Sequence, residues 1–260
     1  MNRKITMYLL LLFVVVIIVS LFTGCNKKQA CDYTDFKGKD IAVITGVLTY
    51  NTTEKIGANP VNYNNSSSAV EDVRNGRVAG YMHALTLVQV IAAQSEGFEV
   101  IAVPKDIFSA LIGGISHDKD IIDRFNAFLA SISDDGTLDE MKSRWFSNGV
   151  NYESPIPEIQ NSGGNGALTV VTTSDAAPFA YKMQNGNFNG FSVEMALRFG
   201  AYEGKTVEFI DVEFGELIPY IADKKADISL ANMAITEDRA KDVLFSNPFF
   251  EEQHGILSLK

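Results

Sequence analysis

Histidine is scarce in this 260-residue chain, cysteine scarcer still, and basic residues are outnumbered by acidic ones. The three histidines, His83, His117 and His254, stand apart from one another and from Cys31 with none of the spacings a zinc site uses, so no metal is expected. No glycine loop of the phosphate-cradling type occurs, and Ser66-Ser67-Ser68 reads more simply as a helix cap than as a nucleophile, so no cofactor is expected. Asp134-Asp135 and Glu251-Glu252 read as charge pairs on solvated faces. With no nucleophile, base or metal cluster in view, catalysis is not expected. The formal net charge is −10; Arg3 and Lys4 are the only charged groups before Cys25, so the remainder carries about −12, which argues against nucleic acid as a partner.

What is present begins with an export signal. Arg3 and Lys4 precede an uncharged apolar run from Met7 to Phe22, the order of a secretory n-region and h-region. Its sixteen residues fall between a signal core and a membrane span. The closing Leu21-Phe-Thr-Gly-Cys25 resembles the lipobox of bacterial lipoproteins, although Phe22 stands where a smaller aliphatic residue is usual. That resemblance implies removal of residues 1–24 and a diacylglycerol anchor on Cys25, and so an extracytoplasmic protein held at a membrane. An acylated Cys25 leaves Cys31 without an intramolecular disulfide partner, and the fold must stand on its apolar core, 46% of residues being hydrophobic. Residues 25–35 read as a polar tether.

From Asp35 onward, β-rich runs alternate with helical ones, which predicts an α/β fold. Lys39–Ile44 reads as a buried strand, and Ser68-Ala-Val-Glu71 as a capping box opening a helix that ends at Asn75-Gly76. Thr86–Gln94 reads as a helix, Phe98–Val103 as a strand and Ser109–Ser116 as a glycine-broken strand. Ile121, Phe125, Phe128, Leu129 and Ile132 recur at helical spacing up to Asp135-Gly136, and Leu138, Met141 and Trp145 form a second stripe. Asn148 to Gly166 has linker composition. Beyond it we expect a strand at Leu168–Thr172, a helix from Ser192 to Phe199 ended by Gly200, and a strand at Lys205–Val212. A helix at Glu216–Lys224, a strand at Asp227–Leu230 and a short helix capped by Thr236 follow. No internal repeat is visible, so the two halves are different modules.

Five stretches of the second half then come into register with a known family: Ala177-Pro-Phe-Ala-Tyr181, Asn185 to Glu194, Phe214-Gly-Glu-Leu-Ile-Pro219, Asp227 to Arg239, and Phe245-Ser-Asn-Pro-Phe249. In order and spacing this half resembles lobe 1 of the periplasmic amino-acid-binding proteins, solute-binding protein family 3 of the bilobed type II fold. The first half resembles lobe 2 and its return segment through Phe36 to Gly46, Asn75-Gly-Arg77 and Asp135 to Trp145. The family order is therefore inverted, and two arrangements satisfy it. In a permuted bilobed domain, helices between about 106 and 148 would pack on the lobe built by 166 to 260. In an incomplete tandem, a further lobe would follow Lys260. The expected divisions are signal 1–24, tether 25–35, lobe-2-like half 36–148, linker 149–166 and lobe-1-like half 167–260.

The resemblance implies an extracytoplasmic solute-binding lipoprotein that captures an amino acid or related small carboxylate between its lobes and hands it to the membrane permease of an ABC transporter. A ligand-sensing module of a signalling receptor would carry the same residues. Arg239 falls at the position expected to grip the ligand carboxylate, a task that suits a planar guanidinium. It is expected in the first turn of the helix after Thr236, where free N–H groups also attract an anion; spacing alone also fits a surface arginine paired with Glu237 or Asp238. Phe214 corresponds to an aromatic platform, although a core phenylalanine before a helix would fit as well; Phe179 fits the core as well as a ligand contact, and Tyr181 is a weaker candidate for the pocket rim. Ala234 stands where a hydroxyl is usual, leaving backbone contacts, with Asn232 able to compensate. Val47, Leu48 and Ala84 replace the polar and acidic groups expected of the opposing lobe. In the permuted arrangement the closed site has no acid for a ligand ammonium and would favour a carboxylate without an amine, whereas in the tandem arrangement the ammonium partner would belong to the further lobe.

Overall fold

Residues 32–146 and 155–260 are described by the structure, a computed structural model. The export segment, Cys25, most of the tether and residues 147–154 of the expected linker lie outside the described residues.

In chain order the strands are β1 (Asp40–Ile44), β2 (Asn59–Tyr63), β3 (Gly80–Ala84), β4 (Phe98–Ala102), β5 (Ser109–Ile112), β6 (Ile115–Ser116) and β7 (Ala167–Thr172). They continue with β8 (Asp175–Ala176), β9 (Ala180–Lys182), β10 (Phe188–Asn189), β11 (Thr206–Asp211), β12 (Leu244–Phe245) and β13 (Phe250–Leu259). The helices are α1 (Thr49–Lys55), α2 (Ser66–Arg74), α3 (Leu85–Gln94), α4 (Lys119–Asp134), α5 (Thr137–Phe146), α6 (Phe191–Glu203) and α7 (Leu217–Ala222). Among them none is long and apolar enough to cross a membrane.

The main sheet runs β2-β1-β3-β13-β4, with β5 also paired to β13. Strands β1, β2 and β3 are parallel, whereas β13 enters antiparallel between β3 and β4. The last strand of the chain thus completes the sheet begun by the first. The second lobe is built on the parallel pair β7 and β11, flanked by the antiparallel pair β6 and β12. The halves of the sequence are therefore not the lobes in space: β13 leaves the second half for the first, and β6, α4 and α5 leave the first half for the second. As folded here, the described residues form an α/β bilobed unit whose lobes exchange elements between the two halves of the sequence.

Packing explains the exchange. Asp118 accepts the Asp120 N–H at the start of α4, and the apolar stripe buries Ile121, Phe125, Phe128, Leu129 and Ile132. Phe125 meets Phe199 of α6 edge to face at 5.1 Å between centroids, and Phe128 lies 5.5 Å from the same ring. Burying a side chain of this size contributes about 1.5–3 kcal/mol, so the aromatic contacts alone tie the first half to the second. Residues 155–166 lie along the same lobe: Asn161 donates to the Lys205 carbonyl and Asn165 to that of Glu203.

Several boundaries differ from expectation for identifiable reasons. α2 is capped by Asn65, whose side chain accepts the Ser68 N–H, so the serines lie inside the helix and are not its cap. α6 runs through Gly200 to Glu203 and is closed by Gly204 at φ 66°. Gly200 does not stop the helix; a Cβ there would collide with the Val207 side chain, so glycine is required for helix–sheet contact. Asp227–Leu230 forms only isolated bridges, Ile228 to Val170 and Ser229 to Ile115. After Thr236 the chain makes a 3-10 turn, Arg239–Lys241, where a short α-helix was expected.

Candidate functional site

A cleft between the lobes holds about 860 Å³ of empty space, part of it continuous with solvent. One wall comes from the β1–α1 turn, the β3–α3 junction, β5 and β13; the other comes from the segments around Asp175, Phe214 and Asn232 to Arg239.

Arg239 lines this cleft and is half-buried. One of its terminal nitrogens donates to the Ala234 carbonyl at 3.1 Å and the other to the Gly46 carbonyl at 3.2 Å. Ala234 belongs to its own lobe and Gly46 to the opposing one, so the guanidinium spans the gap. Its central carbon lies 5.9 Å from the centre of the Phe214 ring, within reach of a cation–π attraction. Burial lowers its proton affinity, yet a guanidinium stays charged in proteins. The alternative, pairing with a neighbouring acid, is not what holds it: Asp238 instead bonds Lys241 at 2.7 Å. Nor does a helix terminus present it, since only a 3-10 turn follows; Thr236 accepts the Arg239 backbone N–H at 3.2 Å and shapes that turn without lining the cleft.

The other candidates divide. Phe214, Asn232 and Ala234 line the cleft with Arg239. Phe179 also borders it but is 1% exposed, wedged among Phe146, Phe191 and Phe250 at 5.2–5.9 Å, so packing is its main work. Tyr181 does not line this cleft. It is buried beside an adjoining pocket, accepts from the Asn189 amide at 2.8 Å, and burial pushes its hydroxyl up to about 12. Val47, Leu48 and Ala84 do face the cleft and add apolar wall.

Two expectations fail here. Glu251 and Glu252 are not a solvated pair. Glu251 points outward to Lys105 at 2.9 Å, whereas Glu252 is 4% exposed and lines the cleft. Its carboxylate accepts the Thr86 hydroxyl at 2.7 Å and the Gln253 N–H at 3.0 Å; burial pushes its pKa up to about 7 against the opposing pull of these donors and the Asn232 amide. The cleft therefore does contain acids, Glu252 on this wall and Asp175 and Glu213 on the other. Likewise His83 and His254, remote in sequence, both line the cleft where the adjacent strands β3 and β13 border it. Burial lowers His83 to about 4 and His254 to about 3, so both rings are neutral near pH 7. His254 stacks on Phe108 and meets the Thr52 hydroxyl at 3.0 Å. Among the described residues no cluster suits a metal ion. The missing signal was that β13 lies beside β3, a long-range pairing that is not visible in the sequence of either strand.

Residues 168–260 match the family described as bacterial extracellular solute-binding proteins, family 3. Over 103 residues the chain is 36% identical to the arginine-binding extracellular protein ArtP of Bacillus subtilis, covering 38% of this chain and 40% of that protein. Over 107 residues it is 31% identical to the cyclohexadienyl dehydratase of Pseudomonas aeruginosa, covering 41% of this chain and 39% of that protein. The match thus spans about two fifths of the length of these curated relatives. Among solved structures, the arginine-bound form of domain 1 from TmArgBP shares 34% identity, with 40% of this chain and 87% of that one covered and a TM-score of 0.33.

Proposed function

Because the chain belongs to the bacterial extracellular solute-binding proteins of family 3, we propose that it captures an amino acid or related small carboxylate in the inter-lobe cleft and presents it to the permease of an ABC-type uptake system. Relatives named as arginine-, histidine- and octopine-binding proteins support a solute of this class. The observation that carries the reading is the placement of Arg239: a guanidinium in the cleft whose side-chain hydrogen bonds among the described residues go to neutral carbonyls, one on each lobe. Such a cation is free to take a carboxylate in bidentate fashion, and a carboxylate held there would draw Gly46 and Ala234 toward one another. Ligand and closed form then stabilise each other, and no bond is made or broken in the solute.

In this reading Phe214 is the platform for the ligand, Asn232 and the Ala234 backbone complete the contacts around Arg239, Thr236 shapes the turn that presents it, and Phe179 and Tyr181 support the rim. Residues 36–148 and 167–260 supply the halves joined by 149–166, and residues 1–24 are removed so that Cys25 carries the lipid anchor at the outer face of the membrane. The relatives include an enzyme by name. Retention of the ligand unchanged after incubation separates a binder from a catalyst.

Isothermal titration of wild type and Arg239→Ala against ligands found in a thermal-shift screen of amino acids and carboxylates tests the proposal. A loss of about 2–5 kcal/mol in the variant is expected for a buried charge pair. An unchanged affinity would remove Arg239 from the site.

A further inference from the structure

Arg239 is not alone in bridging the lobes. At the start of α2 the Ser66 hydroxyl donates to the Asp175 carboxylate of β8, on the opposing lobe, at 3.4 Å. Burial raises the proton affinity of this carboxylate, while the hydroxyl and the backbone N–H of Ser66 both draw it down. Ser66 is the first residue of α2, so its N–H is one that the helix leaves without an internal acceptor, and the positive end of the helix favours the anion.

Both partners are fixed from within their own lobes. Tyr81 of β3, fully buried, donates its hydroxyl to the Ser66 oxygen at 3.0 Å, so the serine's own proton is the one left for Asp175. On the other side Ser174 gives its backbone N–H and its hydroxyl to Asp211 at 2.9 and 2.8 Å, and Lys182 pairs with the same carboxylate at 2.6 Å, which anchors the turn carrying Asp175 to β11. Glu213 of the same lobe repels Asp175, and no cation is among the groups that act on it. The contact also has a telling position. Ser66, Leu87, Asp175 and Ala177 line both the main cleft and the adjoining pocket that Tyr181 borders, so the bond stands where the two spaces meet.

We infer that Asp175 and Ser66 form a latch that holds the lobes together by the chain's own groups and must open before a solute enters or leaves. Its effect on a solute rests on the cleft being the solute site; its effect on the lobes does not. Where the closed form predominates with and without solute, a latch that stabilises both equally cancels from the affinity and survives in the rates, slowing entry and exit by the same factor. A residue that touches the solute behaves otherwise and changes mainly the exit rate.

The test uses the full chain with Asp175→Ala, and Ser66→Ala as a second variant at the other end of the bond, with thermal melts confirming that each folds. A fluorescence-transfer pair at the exposed positions Tyr50 and Tyr202, one on each lobe, reports the separation of the lobes in buffer without solute. Transfer should fall in both single variants, and the double variant should match Asp175→Ala. Equal transfer in wild type and Asp175→Ala, or additive falls in the double variant, would overturn the latch whatever the cleft binds. Stopped-flow mixing with an amino acid that raises the melting temperature of wild type then reads the passage. Both rate constants should rise about 5-fold in Asp175→Ala, with the dissociation constant kept within about 2-fold. A rise in the exit rate alone would make Asp175 a solute contact and overturn the gating. If no amino acid or carboxylate binds folded wild type, the solute-site reading falls, while the transfer measurement still decides the latch.

Discussion

The indole N–H of Trp145 donates to the carboxylate of Glu194 at 2.7 Å, joining residues 49 positions apart that lie on either side of the segment between the sequence halves. Glu194 is fully buried and also takes both its oxygens to Arg144, at 2.8 and 2.9 Å, and one to Arg198 at 2.9 Å. Three donors from α5 and α6 converge on one anion, so the closing helix of the first half is bonded into the second lobe as well as packed against it.

Glu194→Ala should therefore cost about 3–5 kcal/mol, because it strands two partly buried arginines and an indole N–H. Urea denaturation followed by tryptophan fluorescence measures it, with Trp145 as the chain's single reporter. A loss below about 1 kcal/mol would mean that this network does not hold the halves together.

Phe179 and Phe214 should separate stability from binding. Phe179→Ala empties a site in the aromatic core and is expected to cost about 3–5 kcal/mol of folding stability. Phe214→Ala, at a half-buried position on the cleft, should change folding by much less and weaken ligand binding by about 1–3 kcal/mol. Chemical denaturation and titration calorimetry on both variants provide the crossed comparison.

The buried acid makes stability fall with rising pH. Glu252 has a folded pKa of about 7 against a usual value of 4.5, so the folded state holds the proton more tightly. Its contribution is complete below about pH 4.5 and is lost as the pH rises through about 7, on the order of 3 kcal/mol in all. Glu252→Gln should remove that slope, so the stability difference between variant and wild type should grow in the variant's favour from pH 5 to 8. A constant difference would contradict the burial of the carboxylate.

His83 and His254 act with the opposite sign. Their folded values, about 4 and 3, lie below the usual 6.5, so their contribution is present above 6.5 and is lost as the pH falls toward 4. His254→Gln should flatten the acid limb of the stability curve in urea melts between pH 6.5 and 4.

Much of this architecture is legible in the sequence where burial follows a single period. α4 is an example, since its apolar residues fall at three and four and its cap and closing Asp135-Gly136 are local. α1 escapes the same reading because its buried face is Thr49, Thr52 and Thr53, polar residues that leave no apolar stripe. Gly200 misleads because a glycine that ends a helix and one that admits a neighbouring strand look alike until Val207 is in place. In the cleft, Arg239 and Phe214 are found from motif position, whereas Glu252 and the two histidines depend on which strand lies beside which. Adjacent acids read as one charged face only if the backbone is not pleated.

The placement of β13 bears on how the protein comes into being. During synthesis β3 and β4 emerge early, yet the strand that belongs between them is made of residues 250–259 and leaves the ribosome more than a hundred residues later. Throughout that interval the nascent sheet has two open edges facing one another across a missing strand, the kind of surface that invites pairing with a stranger. Until residues 250–259 arrive those edges stay unpaired, so closing the sheet is a late, long-range step of folding.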